Sequence, residues 1–308
     1  MTYRRAEFLR ATLERLSFQT RRLDALIVVD NEASDTTRFL VESAPRSGST
    51  VTYLRAPENL GFAGGVAFGM EHAMRFVHDG DWLVLFDDDD PPPRGSTVEE
   101  VEAFAMRMLR RDRRTAAVGL TGGRFDWQRG RIVRVPSAEL TGAVSVDYVG
   151  GDHIPFFRAG AIRDVGPFDR LLFFGLSEVE FGLRLRRAGY HLYAHGDRWA
   201  EARRRFERSG GPGLRLPPIH WKRYYTLRNT IYVLRLHGHP LVAVEVAAVR
   251  GIAKPLVNLP LTPILAARHL GLNARACFDG FVGNMGRRVE PDGTSKRDAR
   301  SFIPAGTS

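Results

Sequence analysis

Trp82-Leu83-Val84-Leu85-Phe86-Asp87-Asp88-Asp89-Asp90-Pro91-Pro92-Pro93 decides how the chain is read. Five apolar residues in a row, bounded by turn formers, predict a buried strand. The four carboxylates that follow, braced by three prolines, then fall on a tight turn at the strand's carboxyl end. Like charges so close together repel and call for a cation. Alternate residues at a strand end share a side, so Asp87 and Asp89 can point together at a hard divalent ion, Mg²⁺ or Mn²⁺, that also grips a diphosphate. A solvated acidic loop is the competing reading, but such a loop does not need a strand of Trp-Leu-Val-Leu-Phe to present it.

Working outward, Leu26 to Val29, Val51 to Leu54 and Ala116 to Leu120 are further apolar, β-branched runs. Helical patterns separate them, with Phe8, Leu9, Leu13 and Leu16 before the first, and Val66, Met70, Ala73, Met74 and Val77 after the second. This alternation predicts an α/β fold, a mostly parallel sheet flanked by helices. Ligands in such sheets sit beyond the carboxyl ends of the strands, which directs attention to Asp30-Asn31, Asn59-Leu60-Gly61 and Asp87 to Asp90. Asn59-Leu60-Gly61-Phe62-Ala63-Gly64-Gly65 places an amide and small residues directly before a helix, where backbone N–H groups suit phosphates. It matches neither G-x-G-x-x-G nor G-x-x-x-x-G-K-[ST].

After residue 123 the pattern turns to hairpins, with Arg124 to Trp127 and Ile132 to Val135 flanking Gln128-Arg129-Gly130. Ser177 to Tyr190 reads as a helix with Glu178 and Glu180 in its first turn, an arrangement that simple dipole complementation also explains. Residues 209–218, SGGPGLRLPP, are the linker candidate, which predicts a catalytic domain over residues 1–215 and a basic helical region over 216–308.

Composition narrows the function classes. The chain has 308 residues, 44% hydrophobic and 26% charged, which excludes disordered and fibrous classes. A single cysteine, Cys277, excludes an internal disulfide framework and a thiolate zinc cluster, and fits a reducing, cytoplasmic setting. No run of eighteen apolar residues occurs without a charge or helix breaker, so no spanning helix is expected. Residues 181–308 hold 22 basic and 8 acidic side chains, a surplus of 14 positive charges, whereas residues 1–180 hold 23 and 27. Of the 45 basic residues 42 are arginine, so an arginine-rich composition is one explanation. The other is an anionic partner, either phosphates or a membrane surface, the latter placing the chain peripherally on the inner face of the plasma membrane. Nucleic acid is not expected as a partner, because four aspartates line the presumed cleft.

Taken together from Thr2 to about Asn229, these stretches resemble the family 2 inverting glycosyltransferases of the GT-A fold, and among them bacterial rhamnosyl- and galactofuranosyl-type transferases. Thr2-Tyr3-Arg4-Arg5 is similar to the family's T-Y-N-R, and Val28 to Asp35 to its V-V-D-N-x-S-x-D. Asn59 to Gly65 is similar to N-x-G-x-A-G-G, Asp87-Asp88-Asp89 to D-x-D, and Ser177 to Tyr190 to D-D-x-E-F-G-L-R…A-G-Y. Tyr224-Tyr225-x-x-Arg228-Asn229 matches the downstream Y-Y-x-x-R-N.

The resemblance implies a nucleotide-sugar site formed by Thr2, Tyr3, Arg5, Asp30, Asn31, Asn59, Gly61, Gly64, Gly65 and Asp88. It implies a metal held at Asp87 and Asp89, with His195 or His220 as a further ligand, and Glu178 as general base. The family more often carries Asp at the position of Glu178, one methylene or about 1.5 Å shorter. The family's opening strand precedes the position of Thr2, so a strand upstream of Met1 is expected. The activity implied is transfer of a sugar from a UDP- or dTDP-linked donor to a hydroxyl of a cell-wall, lipid-linked or polysaccharide acceptor. The alternative is a catalytically silent GT-A-like module that binds sugar nucleotides or membrane assemblies. A sugar-phosphate nucleotidyltransferase is disfavoured, since no Gly-rich basic loop stands near the N-terminus.

Overall fold

The computed structural model of the chain describes residues 1–44, 48–150, 154–206 and 221–289. The chain divides into two compact units, Met1–Gly211 and Pro212–Ser308.

In the first unit the elements run α1 (Ala6–Ser17), β1 (Ala25–Asp30), α2 (Asp35–Glu42), β2 (Thr50–Arg55), α3 (Gly61–Ala73), β3 (Trp82–Val84), α4 (Thr97–Arg111), β4 (Thr115–Gly119), β5 (Gly122–Asp126), β6 (Arg131–Val133), β7 (Ala143–Val146), β8 (Tyr148–Val149), β9 (Phe156–Arg158), α5 (Ala159–Val165), α6 (Ser177–Arg187), β10 (His191–His195) and α7 (Gly196–Phe206). The helices follow from their apolar spacing. Val98, Val101, Phe104, Ala105 and Met108 recur at three- and four-residue intervals and form the buried face of α4. α2 begins where the Ser34 hydroxyl accepts the Thr37 N–H, satisfying one of the helix's orphan donors.

β1 and β2 pair in parallel, with Val28 opposite Tyr53. A second sheet runs in the order β3-β9-β4-β10-β7, and a third in the order β6-β5-β8. The second sheet is mixed: β10 is parallel to β4, whereas β9 is antiparallel to β3 and β4, and β7 is antiparallel to β10. Strands separated by helices can return parallel, but β7 and β9 follow the hairpin stretch with no crossover helix before them, which leaves the antiparallel direction.

Met1 and Thr2 join the first two sheets. Thr2 N–H donates to Val29 O at 2.9 Å and Thr2 O accepts from Asn31 N–H at 3.0 Å, while the Met1 amino group donates to Phe86 O at 3.4 Å. Beside this junction an apolar cavity of about 610 Å³ runs between β1 and β3, lined by Leu13, Val28, Met70, Leu83 and Leu85 among others, and reaches Asp87 and Asp88.

The core between sheet and helices is centred on Phe157, Phe168 and Phe181, whose ring centroids lie 4.9–5.9 Å apart. Phe157 belongs to β9 and Phe181 to α6, so these edge-to-face and tilted contacts fix α6 against the sheet. Gly182 brings the same helix against the third sheet: a Cβ there would lie 2.3 Å from Asp147 O and 2.7 Å from Tyr148 Cα.

The second unit contains α8 (Trp221–Leu236), α9 (Pro240–Val246), a π-helical stretch (Ala247–Ala253), α10 (Lys254–Val257) and α11 (Pro263–Val282). The Y-Y-x-x-R-N residues lock it together. Arg228 is fully buried, with its guanidinium carbon 5.4 Å and 4.8 Å from the ring centroids of Tyr224 and Tyr225. It donates to Gly286 O at 2.7 Å and to Asn229 Oδ1 at 2.9 Å, while Tyr224 Oη donates to Asp279 Oδ2. A buried cation is tolerated when rings and acceptors surround it in this way.

Gly182→Ala is expected to lower stability by about 2 kcal/mol, because two backbone segments must separate and the better helix propensity of Ala returns only about 1 kcal/mol. Urea unfolding checks this; an unchanged midpoint would mean that α6 is not held against β8 as described.

Candidate active site

The sequence-predicted residues of the first unit gather at the ends of β1 and β3 and at the start of α3, and each is held for a visible reason. Asp30, at the end of β1, is fully buried. Its carboxylate accepts from the backbone N–H groups of Glu32 and Ser34 and from Tyr53 Oη, all at 2.9 Å. Burial first and this hydrogen bond second push the Tyr53 hydroxyl up to about 12. Asp30 therefore shapes the turn that leads into α2. Asn31 next to it donates to Gly61 O at 2.9 Å and accepts from Leu60 N–H at 3.4 Å, tying β1 to the Asn59-Leu60-Gly61 turn.

That turn requires its glycines. Gly61 has φ +70, and a Cβ on it would lie 2.3 Å from Phe173 O; Ala63 N–H donates to the same carbonyl at 3.1 Å. A Cβ on Gly65 would lie 2.9 Å from Asn31 Nδ2. Gly64 is buried within α3, and Asn59 Oδ1 accepts from Gly61 N–H at 3.0 Å. Phe173 itself, with Gly175 and Leu176 after it, has positive φ. The turn before α3 thus leans on the strained turn before α6.

The acidic run splits by direction. Asp88 is buried and accepts from Thr2 Oγ1 at 2.7 Å; its carbonyl accepts from Thr12 Oγ1 at 2.8 Å. Burial raises its carboxyl, the Thr2 bond and the Arg5 charge oppose this, and Arg5 lies 3.7 Å away. Asp89 is exposed and ion-paired with Arg5. Tyr3 carries the Arg4 guanidinium over its ring at 5.2 Å. Asp87 points elsewhere: with Asp90, Glu178, Phe62 and Gly150 it lines a crevice of about 10 Å³, room for about one water. Burial raises the Asp87 carboxyl from 3.8 to about 7; the N-terminal amino group opposes the rise, and the charges of Glu178, Asp89 and Asp88 add to it.

Glu178 stands in the first turn of α6, at the positive end of that helix. Ser177 Oγ donates to Glu178 Oε2 at 3.0 Å. Gly150, at φ +139, lies against its stem, where a Cβ would come within 2.8 Å of Glu178 Cγ. Tyr148 is nearby, its hydroxyl pushed up to about 12 by burial and then by the Glu178 charge. Glu180, two residues further on, is used differently. It is buried in a two-toothed ion pair with Arg184, both bonds 2.9 Å, and Arg184 also donates to Pro167 O.

Sequence reasoning left Asp90 and Gly150 out of the site. Asp90 was legible only as the tail of the acidic run, and Gly150 carries no local motif. His195, by contrast, does not join the acidic turn. β9 and β4 stand between β10 and β3, so the two strands are three spacings, about 14 Å, apart in the sheet. Its ring stacks on Phe104 at 4.8 Å, burial lowers its pKa, and its Nδ1 has no hydrogen-bond partner. His220 lies outside the described residues. Among the described residues no three His, Cys, Asp or Glu side chains converge as a complete metal cage. The donor set fits a hard ion held by one or two carboxylates together with substrate phosphates.

The raised Asp87 carboxyl has a sign that can be checked. The folded chain keeps this proton from 3.8 up to about 7 while the unfolded chain releases it, so stability falls as pH rises through that window and stays lower above it. In EDTA, Asp87→Asn is expected to match the parent near pH 4 and to exceed it by on the order of 2 kcal/mol at pH 8. Thermal unfolding across pH measures the difference; a pH-independent offset would refute the buried ionisation.

Residues 1–119 match the family described as Glycosyl transferase family 2. The chain is 31% identical over 257 residues to "Galactofuranosyltransferase GlfT1" of Mycolicibacterium smegmatis, an alignment that covers 77% of this chain and 82% of that protein. The protein of the same name from Mycobacterium tuberculosis H37Rv is 31% identical over 254 residues, covering 77% and 81%. Among solved structures, "Crystal structure of GalNAc-T7 with UDP, GalNAc and Mn2+" superposes with a TM-score of 0.50 at 13% identity. That match covers 73% of this chain but 44% of the other, so the chain spans less than half of that solved protein, and the likeness speaks for a GT-A-like fold alone. With its carboxylates at the strand end, its Asn-Leu-Gly turn and its relatives of matching length, the chain belongs to glycosyl transferase family 2 and is a glycosyltransferase.

Proposed function

We propose that the chain transfers a furanose sugar, galactofuranose in the first instance, from a UDP- or dTDP-linked donor to a hydroxyl of a cell-wall or lipid-linked glycan, with inversion at the anomeric carbon. The relatives named galactofuranosyltransferase support the sugar. The observation that carries the chemistry is the shared crevice of Asp87 and Glu178, one carboxylate at a strand end and the other at a helix start.

Glu178 takes the proton of the acceptor hydroxyl as its oxygen attacks the anomeric carbon, and the bond to the donor's diphosphate breaks with its electron pair leaving on the diphosphate. Attack opposite the leaving group inverts the carbon. Ser177, Gly150 and the start of α6 orient Glu178. A bound Mg²⁺ or Mn²⁺ would supply charge neutralisation to the diphosphate; Asp87 would hold it, with Asp89 joining only after turning from Arg5. Arg5, released from Asp89, can then meet phosphate oxygens. The backbone N–H groups at the start of α3, with Asn59, Gly61, Gly64 and Gly65 around them, and the Thr2-Tyr3 and Asp30-Asn31 segments border the nucleotide.

The acceptor is placed at the inner face of the plasma membrane, with the chain attached peripherally. Among the described residues no helix is long and apolar enough to cross a membrane. The surplus of 14 positive charges in residues 181–308 supports attraction to anionic lipid.

Glu178→Gln is expected to lower kcat at least about a hundredfold while donor Kd, measured by calorimetry, stays within a few-fold, because the amide keeps the shape but accepts no proton. Surviving turnover would place the base elsewhere, and lost donor binding would make Glu178 a ligand. Glu180 is not the replacement, since its carboxylate is held by Arg184.

A further inference from the structure

Within the helical unit α8 buries its apolar residues, but the segment after it turns large aliphatic side chains outward. Along α9, the π-helical stretch and α10, the buried positions apart from Val246 are small or polar: Ala243, Ala247, Gly251, Pro255 and, at the end of α10, Asn258. This inward face packs closely, with Asn273 Nδ2 donating to Gly251 O at 2.8 Å and a Cβ on Gly251 falling 2.9 Å from Cys277 Sγ. The outward positions are the large aliphatic ones. Val249, Ile252, Leu256 and Val257 follow one another at helical spacing and are 47% to 69% exposed, and Leu261 and Ile264 beyond them are 79% and 73% exposed. A helix of a soluble protein shows the opposite pattern.

Beyond Glu245, which is exposed near the end of α9, the charge has one sign. From Val246 to Ala267 the sequence contains no Asp or Glu, and its cations are Arg250 and Lys254, with Arg268 next in the chain. Lys254 and Arg268 are exposed. Contiguous exposed apolar surface of this kind marks an interaction face.

We infer that the outward face of residues 249–264 inserts shallowly into an anionic lipid bilayer, its leucines, valines and isoleucines in the acyl boundary and Lys254 and Arg268 at the headgroups. This deepens the membrane-facing reading above and rests on it for the placement of the acceptor. The partner is a bilayer rather than a second copy. A two-fold dimer through this face would set its cations against themselves, with no carboxylate between Val246 and Ala267 to meet them. The face is also aliphatic throughout, without the aromatic anchors that protein interfaces concentrate. Aliphatic bodies with cationic rims match an interfacial helix, and three prolines, Pro255, Pro260 and Pro263, break the stretch so that it lies on the surface instead of spanning.

The test uses the whole chain and vesicles of phosphatidylcholine with or without about one third phosphatidylglycerol. Sedimentation is expected with the anionic vesicles and to weaken at least tenfold in Leu256→Asp/Leu261→Asp. Lys254→Glu/Arg268→Glu should lose the preference for anionic lipid, as screening does when the Debye length falls from about 10 Å at 0.1 M salt to about 3 Å at 1 M. Leu261→Trp, which tests the same site without adding charge, should shift its emission to the blue only with vesicles. Transfer to a short water-soluble acceptor is followed in parallel. If transfer proceeds in all variants but no vesicle effect is seen, the lipid face is overturned and the transferase reading stands. If vesicles bind as described but no donor is used, the lipid face stands and the donor assignment fails. A concentration-dependent dimer broken by the Asp variants, with no lipid binding, would overturn the inference in favour of self-association.

Discussion

The hydrogen bond from Thr2 Oγ1 to Asp88 Oδ2 is the contact on which the rest of the site depends. Thr2 is bonded by its backbone to Val29 and Asn31 at the end of β1, and Asp88 follows β3, so one side chain pair joins two sheets that otherwise share no strand. With the carboxylate of Asp88 turned toward Thr2 and its carbonyl held by Thr12, the backbone of the acidic turn has little freedom. Asp87 then faces Glu178 and Asp89 faces Arg5. The repulsion among four neighbouring carboxylates is resolved by direction: one is bonded, one ion-paired, and Asp87 and Asp90 border a common crevice.

A second constraint is backbone crowding between the two turns that meet at the site. Gly61 has no room for a Cβ because the Phe173 carbonyl stands where it would be, and Gly150 has none because Glu178 does. The donor-side turn before α3 and the acceptor-side turn before α6 therefore fix one another. Positive φ at Phe173 and Leu176 shows where the chain bends unusually to make this meeting possible, and strained residues of that kind collect at functional sites.

Much of this was legible in the chain itself. The strand before Asp87, the amide and glycines at Asn59 to Gly65 and the acidic start of α6 are local patterns. The strand is shorter than its apolar run, ending at Val84, and the glycines fall within the first turns of α3 instead of before it. What was not legible is how distant elements meet. The closeness of Asp87 to Glu178, 91 positions apart in sequence, depends on sheet order, and the insertion of β9 between β3 and β4 is written in no single motif. His195 illustrates the converse. Residue type made it a ligand candidate, but three strand spacings and the Phe104 ring place it in the layer beneath α4. In the second unit, composition disclosed the basic charge, whereas the outward turn of the aliphatic face required knowing that the small residues Ala247, Gly251 and Pro255 are the buried ones.

The central claim is that neighbouring carboxylates have opposite roles, Asp88 holding the turn and Asp87 facing the chemistry. Manganese binding in the presence of UDP, followed by electron paramagnetic resonance, tests it most directly. Asp88→Asn can still accept the Thr2 hydrogen bond, so Mn²⁺ affinity should remain within about threefold of the parent, whereas Asp87→Asn should lower it at least about tenfold, roughly 1.4 kcal/mol. Equal losses in the two variants, or a larger loss at Asp88, would contradict the account.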